Sequence, residues 1–278
     1  MLSYQHGYHA GNHADLLKHC ALALCLQARL RKSSPLCVFD THSGRGLYDL
    51  ADVQALKNQE FASGIAAVWE QRQALPELYR QALAHYNGNG ALRYYPGSAA
   101  IIAKALRPQD EAIFCEAHPA EHAALAHNLH GQSGLRILAA DGWQQARALL
   151  PPAQKRGLVL IDPSYERPED FQAAASLANH LCKHFRAATI LIWFPCLAGS
   201  GNLRRALAPL AQGRDCWTAE LSLAQSGERG MHASAMACIN APFGAAQALN
   251  QCMHALLPLL GPTNQVGWRM DSELTTHD

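Results

Sequence analysis

The sequence predicts an α/β fold with a mostly parallel sheet, an inserted helical subdomain and a C-terminal antiparallel hairpin, and three observations carry that prediction. Short apolar runs, "LCVFD", "AIFCEA", "RILAAD", "GLVLID" and "ATILIWFP", recur along the chain, the later ones separated by stretches of helical spacing; this is the rhythm of strands joined by helical crossovers. The first and second of these runs are separated by about seventy residues that read as helix and loop. Near the C-terminus, "WTAELSLAQ" and "HASAMACINAP" follow one another with only a short Gly- and Arg-containing connection, the pattern of an antiparallel pair.

Taken in order, "ADLLKHCALALCLQARL" places apolar residues at helical spacing after the polar start Asn12 to Asp15, so it reads as a helix. The strand "LCVFD" follows and ends at Asp40. The segment "GIAAVWEQRQALPELYRQALAHY" and the "NGNG" turn place the insertion at approximately residues 47–95 of a single 278-residue domain. The remaining strands then arrive at the spacing expected of βαβ units. No internal repeat or low-complexity tract interrupts them.

Composition narrows the function classes. With 49% hydrophobic residues the chain can bury a sizeable core. A formal net charge of +1 excludes a global basic field, so any nucleic-acid binding uses local patches. Nine cysteines without a Cys-x-x-Cys pair read as free thiols in a reducing compartment, which predicts a cytoplasmic protein. The start "MLSYQHGYHAG" lacks a signal pattern, and "TILIWFPCLAG" is shorter than the roughly 18 apolar residues of a membrane span, so no membrane association is expected.

In open α/β sheets ligands bind beyond the carboxyl ends of the strands, and here those ends carry acids. The first strand runs into "DTHSGRG", where Gly44 and Gly46 suit a tight turn and a close approach to the main chain; an ordinary strand-to-helix turn uses the same residues. Glu116 ends the second strand, and its two oxygens match the two hydroxyls of a ribose. Asp141 and Gly142 end the third, an acceptor for an adenine amino group beside a flat wall. Each acid alone also fits a helix cap; the ordered series fits an adenosine-bearing cofactor. The fourth strand ends in "LVLIDPSY", where Pro163 keeps Asp162 extended, so that the Asp162 carboxylate and the Pro163 carbonyl form two acceptors for one exocyclic amino group. Tyr165 offers a flat surface for stacking a base.

These motifs, with the N-terminal "YQHGYHAGNHADLLKH", the "LRYYPGS" loop and "RGMHASAMACINAP", resemble the bacterial large-subunit ribosomal RNA methyltransferase J family over nearly the whole chain. The resemblance implies a Rossmann-like methyltransferase that uses S-adenosyl-L-methionine to methylate the N6 of an adenine in 23S ribosomal RNA. It implies cofactor-binding positions at His19, His42, Gly44, Ser98, Glu116, Asp141, Gly142 and Asp162, with Asp162, Pro163 and Tyr165 catalytic. Tyr4, His6 and Lys18 fall where the family approaches its target nucleotide. Read from pattern alone, Lys18 and His19 would be a solvated helix end. The family's Asp-Pro-Pro-Tyr appears here as Asp-Pro-Ser-Tyr, with Ser164 at the third position, which loosens the loop but keeps both acceptors.

No metal is required by this chemistry, and the histidines of "HPAEHAALAHNLH" and "HLCKH" read as helix-surface residues, with His118 a neighbour of the cofactor. Lys18, Arg93, Lys155 and Arg156 are candidate RNA-backbone contacts; a solvated turn explains the last two equally well. A monomer acting on free or incompletely assembled ribosomal RNA is expected. Two other readings remain open: a DNA adenine-N6 methyltransferase, and a non-catalytic nucleic-acid-binding or DNA-utilisation protein with a residual cofactor pocket.

Overall fold

The apolar runs become strands wherever both faces can be covered. A computed structural model describes residues 4–88, 90–197, 200–223, 233–262, 265–272 and 274. Its strands are β1 (Cys37–Asp40), β2 (Leu47–Asp49), β3 (Tyr94–Pro96), β4 (Glu111–Cys115), β5 (Leu135–Leu138), β6 (Gly157–Ile161), β7 (Ala188–Cys196), β8 (Cys216–Leu223), β9 (Ala233–Ile239) and β10 (Val266–Asp271). The helices are α1 (His13–Leu30), α2 (Val53–Asn58), α3 (Ile65–Val68), α4 (Glu77–Asn87), α5 (Ser98–Ala105), α6 (Pro119–Asn128), α7 (Gly142–Leu149), α8 (Glu169–His184), α9 (Ser200–Leu207) and α10 (Ala245–Leu260).

Eight strands form one sheet in the order β10-β8-β9-β7-β6-β1-β4-β5. The block β5-β4-β1-β6-β7 is parallel, whereas β9 runs antiparallel to both β7 and β8, and β10 antiparallel to β8. The expected α/β class, mostly parallel sheet and late antiparallel pair are all present; the connection between β8 and β9 lies outside the described residues. The sequence reading gave no strand at β10, nor at β2 and β3, which pair as a separate antiparallel ribbon at the two ends of the inserted segment.

Period-two alternation sends successive side chains of each strand to opposite faces. On β6, Leu158 and Leu160 join the apolar layer under α1, α4, α5 and α10, while Val159 and Ile161 join the layer under α8 and α9. The helices between β2 and β3 contribute Ile65, Val68, Tyr79 and Leu83 to the first of these layers, so their apolar side chains are continuous with the core over the sheet.

Helix α1 starts at Asn12, whose side chain accepts the N–H of Asp15. Because it is covered by the sheet on one side and by α4, α5 and α10 on others, most of its first half is buried, Lys18 and His19 included. The chain leaves β1 toward β4 on one side and returns through β6 on the other. This places the topological switch point between the carboxyl ends of β1 and β6, where Asp40 and Asp162 sit.

Candidate active site

A cleft of about 850 Å³ opens at that switch point. Tyr4, His6, Lys18, His19, His42, Gly44, Ser98, Glu116, Asp141, Gly142, Asp162 and Pro163 all line it. Residues more than 150 positions apart in the chain are thus gathered on one edge of the sheet.

The turn after β1 is tied to the end of β4. Glu116 accepts the N–H of Gly44 on Oε2 at 2.9 Å and the N–H of His118 on Oε1 at 2.7 Å. Each oxygen keeps a further lone pair, enough to receive a vicinal diol. Burial raises the Glu116 carboxyl, and the two backbone donors oppose that rise. Gly44 has φ +58°, and an added Cβ would collide with the Tyr48 hydroxyl, so both conformation and space call for glycine.

Asp141 caps α7, accepting the Gln144 N–H at 3.1 Å. Gly142 owes its identity to packing: a Cβ there would collide with the Thr41 carbonyl. His42 meets Trp143 edge-to-face at 4.8 Å, and burial lowers its pKa to about 4, which keeps the ring neutral. Both aromatic rings line the cleft, forming a wall beside Asp141 suited to a purine.

On the other side of the β1 end, Asp40 is wholly buried. Its carboxylate accepts Ser98 Oγ–H at 2.7 Å and the His42 N–H at 3.3 Å. Burial pushes its pKa up to about 7. His19 Nδ1 lies 2.6 Å from the Tyr95 hydroxyl, while its Nε2 is buried without a partner among the described residues. An orphaned ring nitrogen on the cleft wall is a contact waiting for a ligand.

The target side is organised by a chain of hydrogen bonds. Tyr4 donates its hydroxyl to His6 Nδ1 at 2.8 Å, and His6 Nε2 donates to Asp15 Oδ2 at 2.9 Å. Lys18 Nζ bridges Asp15 Oδ1 at 2.8 Å and Asp162 Oδ2 at 2.7 Å. Asp15 also accepts the Gly11 N–H. Burial alone would raise Asp15, yet His6 and Lys18 outweigh it and hold the carboxyl well below its ordinary range. Burial likewise opposes the charge on Lys18, but its two carboxylates keep the ammonium well above its usual value. Asp162 shares that single cation, so burial prevails and its pKa is raised.

Tyr165 is not on the cleft wall, which corrects the expectation of a stacking surface there. Its ring is 7% exposed, packed against Phe171 at 4.5 Å and Trp193 at 5.8 Å, and its hydroxyl donates to the Trp193 carbonyl at 2.7 Å. A phenol with its oxygen satisfied is better placed in the apolar layer than in the cleft. The loop bends to allow this through a left-handed φ of +51° at Tyr165. The aromatic ring that does line the cleft beside Asp162 is Trp193, with Lys18 Nζ 5.8 Å from its centroid.

Two of the suggested RNA-backbone contacts lie elsewhere. Arg156 precedes β6 at the opposite edge of the sheet, where its guanidinium donates to the carbonyls of Arg29, Ser34 and Pro35, and Lys155 is its neighbour. Arg93 is paired with Asp49. Residues missed from the sequence are Asp15, Asp40, Trp143 and Trp193. Only Asp40, the acid ending β1, carried a signal of the kind used for the other strand ends.

A mostly parallel sheet with helices on both faces, acids at or beyond the ends of β1, β4, β5 and β6 and a cleft at the switch point define a Rossmann-like methyltransferase. Among the described residues no helix is long and apolar enough to cross a membrane. The model of the family described as "Ribosomal RNA large subunit methyltransferase D, RlmJ" matches residues 33–272, and the chain belongs to that family. Ribosomal RNA large subunit methyltransferase J of Escherichia coli is 40% identical over 265 residues, covering 94% of this chain and 93% of that protein. The protein of the same name from Haemophilus influenzae is 36% identical, covering 98% of each chain. A crystal structure of a Legionella pneumophila protein superposes with a TM-score of 0.88 at 32% identity, covering 95% of this chain and 98% of that one.

Proposed function

We propose that the chain transfers a methyl group from S-adenosyl-L-methionine to the exocyclic N6 of an adenine in large-subunit (23S) ribosomal RNA. The observation that carries this reading is the Asp162 carboxylate, largely buried at the end of β6 beside the Pro163 carbonyl and gripped on one oxygen by Lys18. The related proteins named as ribosomal RNA methyltransferases support the substrate class.

The residues present fit the cofactor. Glu116 would take the ribose hydroxyls, and Asp141 with the His42 and Trp143 rings would take the adenine. His19 and Ser98 would take the amino-acid end. When bound, S-adenosyl-L-methionine supplies an electrophilic methyl group on sulfur.

What remains for the protein is to present the nucleophile. The lone pair of an adenine amino group is spread into the ring, so the amine needs help. Lys18 occupies Asp162 Oδ2 and leaves Oδ1 to accept one amino hydrogen, while the Pro163 carbonyl accepts the other. Held by two acceptors, the nitrogen turns its lone pair toward the methyl donor. Fixed alignment of this kind supplies up to about 7–11 kcal/mol in favourable cases. Asp162 then takes the departing proton, for which its raised pKa suits it. Trp193 takes the stacking role first read at Tyr165. The base reaches the cleft by leaving its stack, which is easiest in single-stranded or frayed RNA.

We place this activity in the cytoplasm, on free or incompletely assembled ribosomal RNA, with one chain supplying every group named and no metal ion among them. Asp162→Ala is expected to abolish methylation of unmodified ribosomal RNA while S-adenosyl-L-methionine still binds by calorimetry. Near-native activity in that variant would discard the role of Asp162, and preferential methylation of DNA over RNA would discard the substrate.

A further inference from the structure

The geometry points to Tyr79 and Tyr95 as positioning residues that lock His19 in its Nε2–H tautomer, so that the cleft offers a fixed N–H donor to the carboxylate of the cofactor. The inference rests on the reading of this cleft as an S-adenosyl-L-methionine site and assigns the inserted helices a part in it.

The argument is one of hydrogen direction. Tyr79 on α4 and Tyr95 on β3 are both wholly buried, with their hydroxyl oxygens 2.8 Å apart, and the Tyr95 oxygen lies 2.6 Å from His19 Nδ1. Three groups therefore share two hydrogen bonds; an arrangement in which His19 Nδ1–H and Tyr79 both donate to Tyr95 leaves the Tyr95 hydrogen without an acceptor, so two directed chains of donation remain to be compared. In one, His19 Nδ1–H donates to Tyr95 and Tyr95 donates to Tyr79. The Tyr79 hydrogen then has no acceptor, because its hydroxyl meets no other partner among the described residues. In the other, Tyr79 donates to Tyr95 and Tyr95 donates to Nδ1. Every hydroxyl hydrogen is then used, and the imidazole proton is left on Nε2. The second direction satisfies the buried donors, and buried donors are rarely left unmet.

Nε2 is the atom without a protein partner, and His19 lines the cleft. Burial brings its pKa down to about 3, so the ring is neutral and the Nε2–H is a donor, never a full charge. A ligand atom set against it must be an acceptor. Of the two charged groups at the amino-acid end of S-adenosyl-L-methionine, the carboxylate accepts and the ammonium does not. The first turn of α5 begins beside it at Ser98, with no side chain capping its N–H groups, which favours the same negative group. The ammonium is left to the acids of the cleft.

The test uses the intact protein with two probes, S-adenosyl-L-methionine and its decarboxylated form, and isothermal calorimetry on the native chain, Tyr95→Phe, Tyr79→Phe and His19→Ala. Tyr95→Phe is expected to weaken S-adenosyl-L-methionine binding on the order of tenfold, with a smaller loss for Tyr79→Phe and little change for the decarboxylated probe in either. In the cofactor-free native protein, ¹⁵N NMR should show His19 with a pyrrole-type Nε2 and an imine-type Nδ1, and Tyr95→Phe should blur that distinction. An Nδ1–H tautomer in the native protein, or equal losses for both probes, would overturn the proposal. If His19→Ala binds S-adenosyl-L-methionine as tightly as the native chain, the cofactor reading at His19 fails as well; if only the tyrosine variants are silent, that reading stands and the tyrosines have no positioning role. Unchanged melting temperatures in the two Phe variants separate positioning from a loss of packing.

Discussion

Replacing Asp40 by Asn should stabilise the protein at alkaline pH and lose that advantage in acid. Asp40 is wholly buried, and among the described residues its carboxylate is met by neutral donors, the Ser98 hydroxyl and the His42 amide. Its carboxyl moves from an ordinary 3.8 to about 7 on folding, chiefly through burial. A raised carboxyl pKa means that the folded state holds the proton more tightly than the unfolded chain. Below about pH 4 both states are protonated and nothing is lost; stability then falls as pH rises, and the loss is complete above about pH 7. At about 1.4 kcal/mol per pH unit, the charged carboxylate costs about 4 kcal/mol at pH 8 and about 1–2 kcal/mol at pH 5.

Asn carries no such charge. It keeps a carbonyl for one of the two donors and sets an amide N–H₂ against the other, a loss of about 1 kcal/mol. The variant should therefore be about 3 kcal/mol more stable than the native chain at pH 8 and nearly equal to it at pH 5. Urea melts at several pH values, fitted with a common slope, read this difference directly. A gain that does not change between pH 5 and pH 8 would refute the reasoning, as would no gain at all at pH 8.

The other predictions concern the same edge of the sheet. Lys18→Met removes the one cation shared by Asp15 and Asp162, and should destabilise the fold by about 3–5 kcal/mol at pH 8; urea melts should show the deficit shrinking as pH falls and one of the two acids takes a proton. Gly44→Ala must hold an alanine at φ +58° against Tyr48, so a loss of more than about 1 kcal/mol in melts and weaker S-adenosyl-L-methionine binding are expected. Ser164→Pro should stiffen the loop after β6 by about 0.5–1 kcal/mol and raise turnover; equal single-turnover rates would show that the loop needs no second proline.

The parallel strands were legible because each is an apolar run, and four of the five lead into an acid, a signal carried within a few residues. The β2–β3 ribbon was not, since three residues per strand are too few to show a period, and Leu47 and Tyr94 are far apart in sequence. β10 was hidden for a different reason: it is an edge strand, and "VGWRMD" mixes a glycine and an arginine into its alternation. Lys18 and His19 show the limit of helical pattern. A basic pair on a helix normally faces water, and only the arrival of α4, α5 and α10 around α1 buries them. Tyr165 failed in the opposite sense. Its place after Asp-Pro suggested the cleft, but whether the ring turns outward or into the layer under α8 depends on the room left by Phe171 and on the Trp193 carbonyl, neither of which is near it in the sequence pattern that was read.

The three acids of the switch point, Asp15, Asp40 and Asp162, could not have been told apart from their own neighbours in the sequence, yet the fold makes them chemically different. Desolvation acts on all three in the same direction. What separates them is the set of hydrogen-bond donors and charges within reach. Asp15 is held by both His6 and Lys18 and is driven well below its ordinary value, so it cannot serve as a proton acceptor and works as an anchor. Asp162 shares Lys18 with Asp15 and stays above its ordinary value, the direction that the proposed proton transfer needs. Asp40 has Ser98 and His42 as neutral partners and titrates near neutrality. Lys18 lies between two of them, 2.8 Å from Asp15 and 2.7 Å from Asp162, so the ammonium alone does not tell them apart; the further hydrogen bonds that His6 and the Gly11 N–H bring to Asp15 hold it below its ordinary value while Asp162 stays above. The chemistry of the cleft is therefore set less by which strands end in acids than by what the N-terminal segment and α1 bring to each.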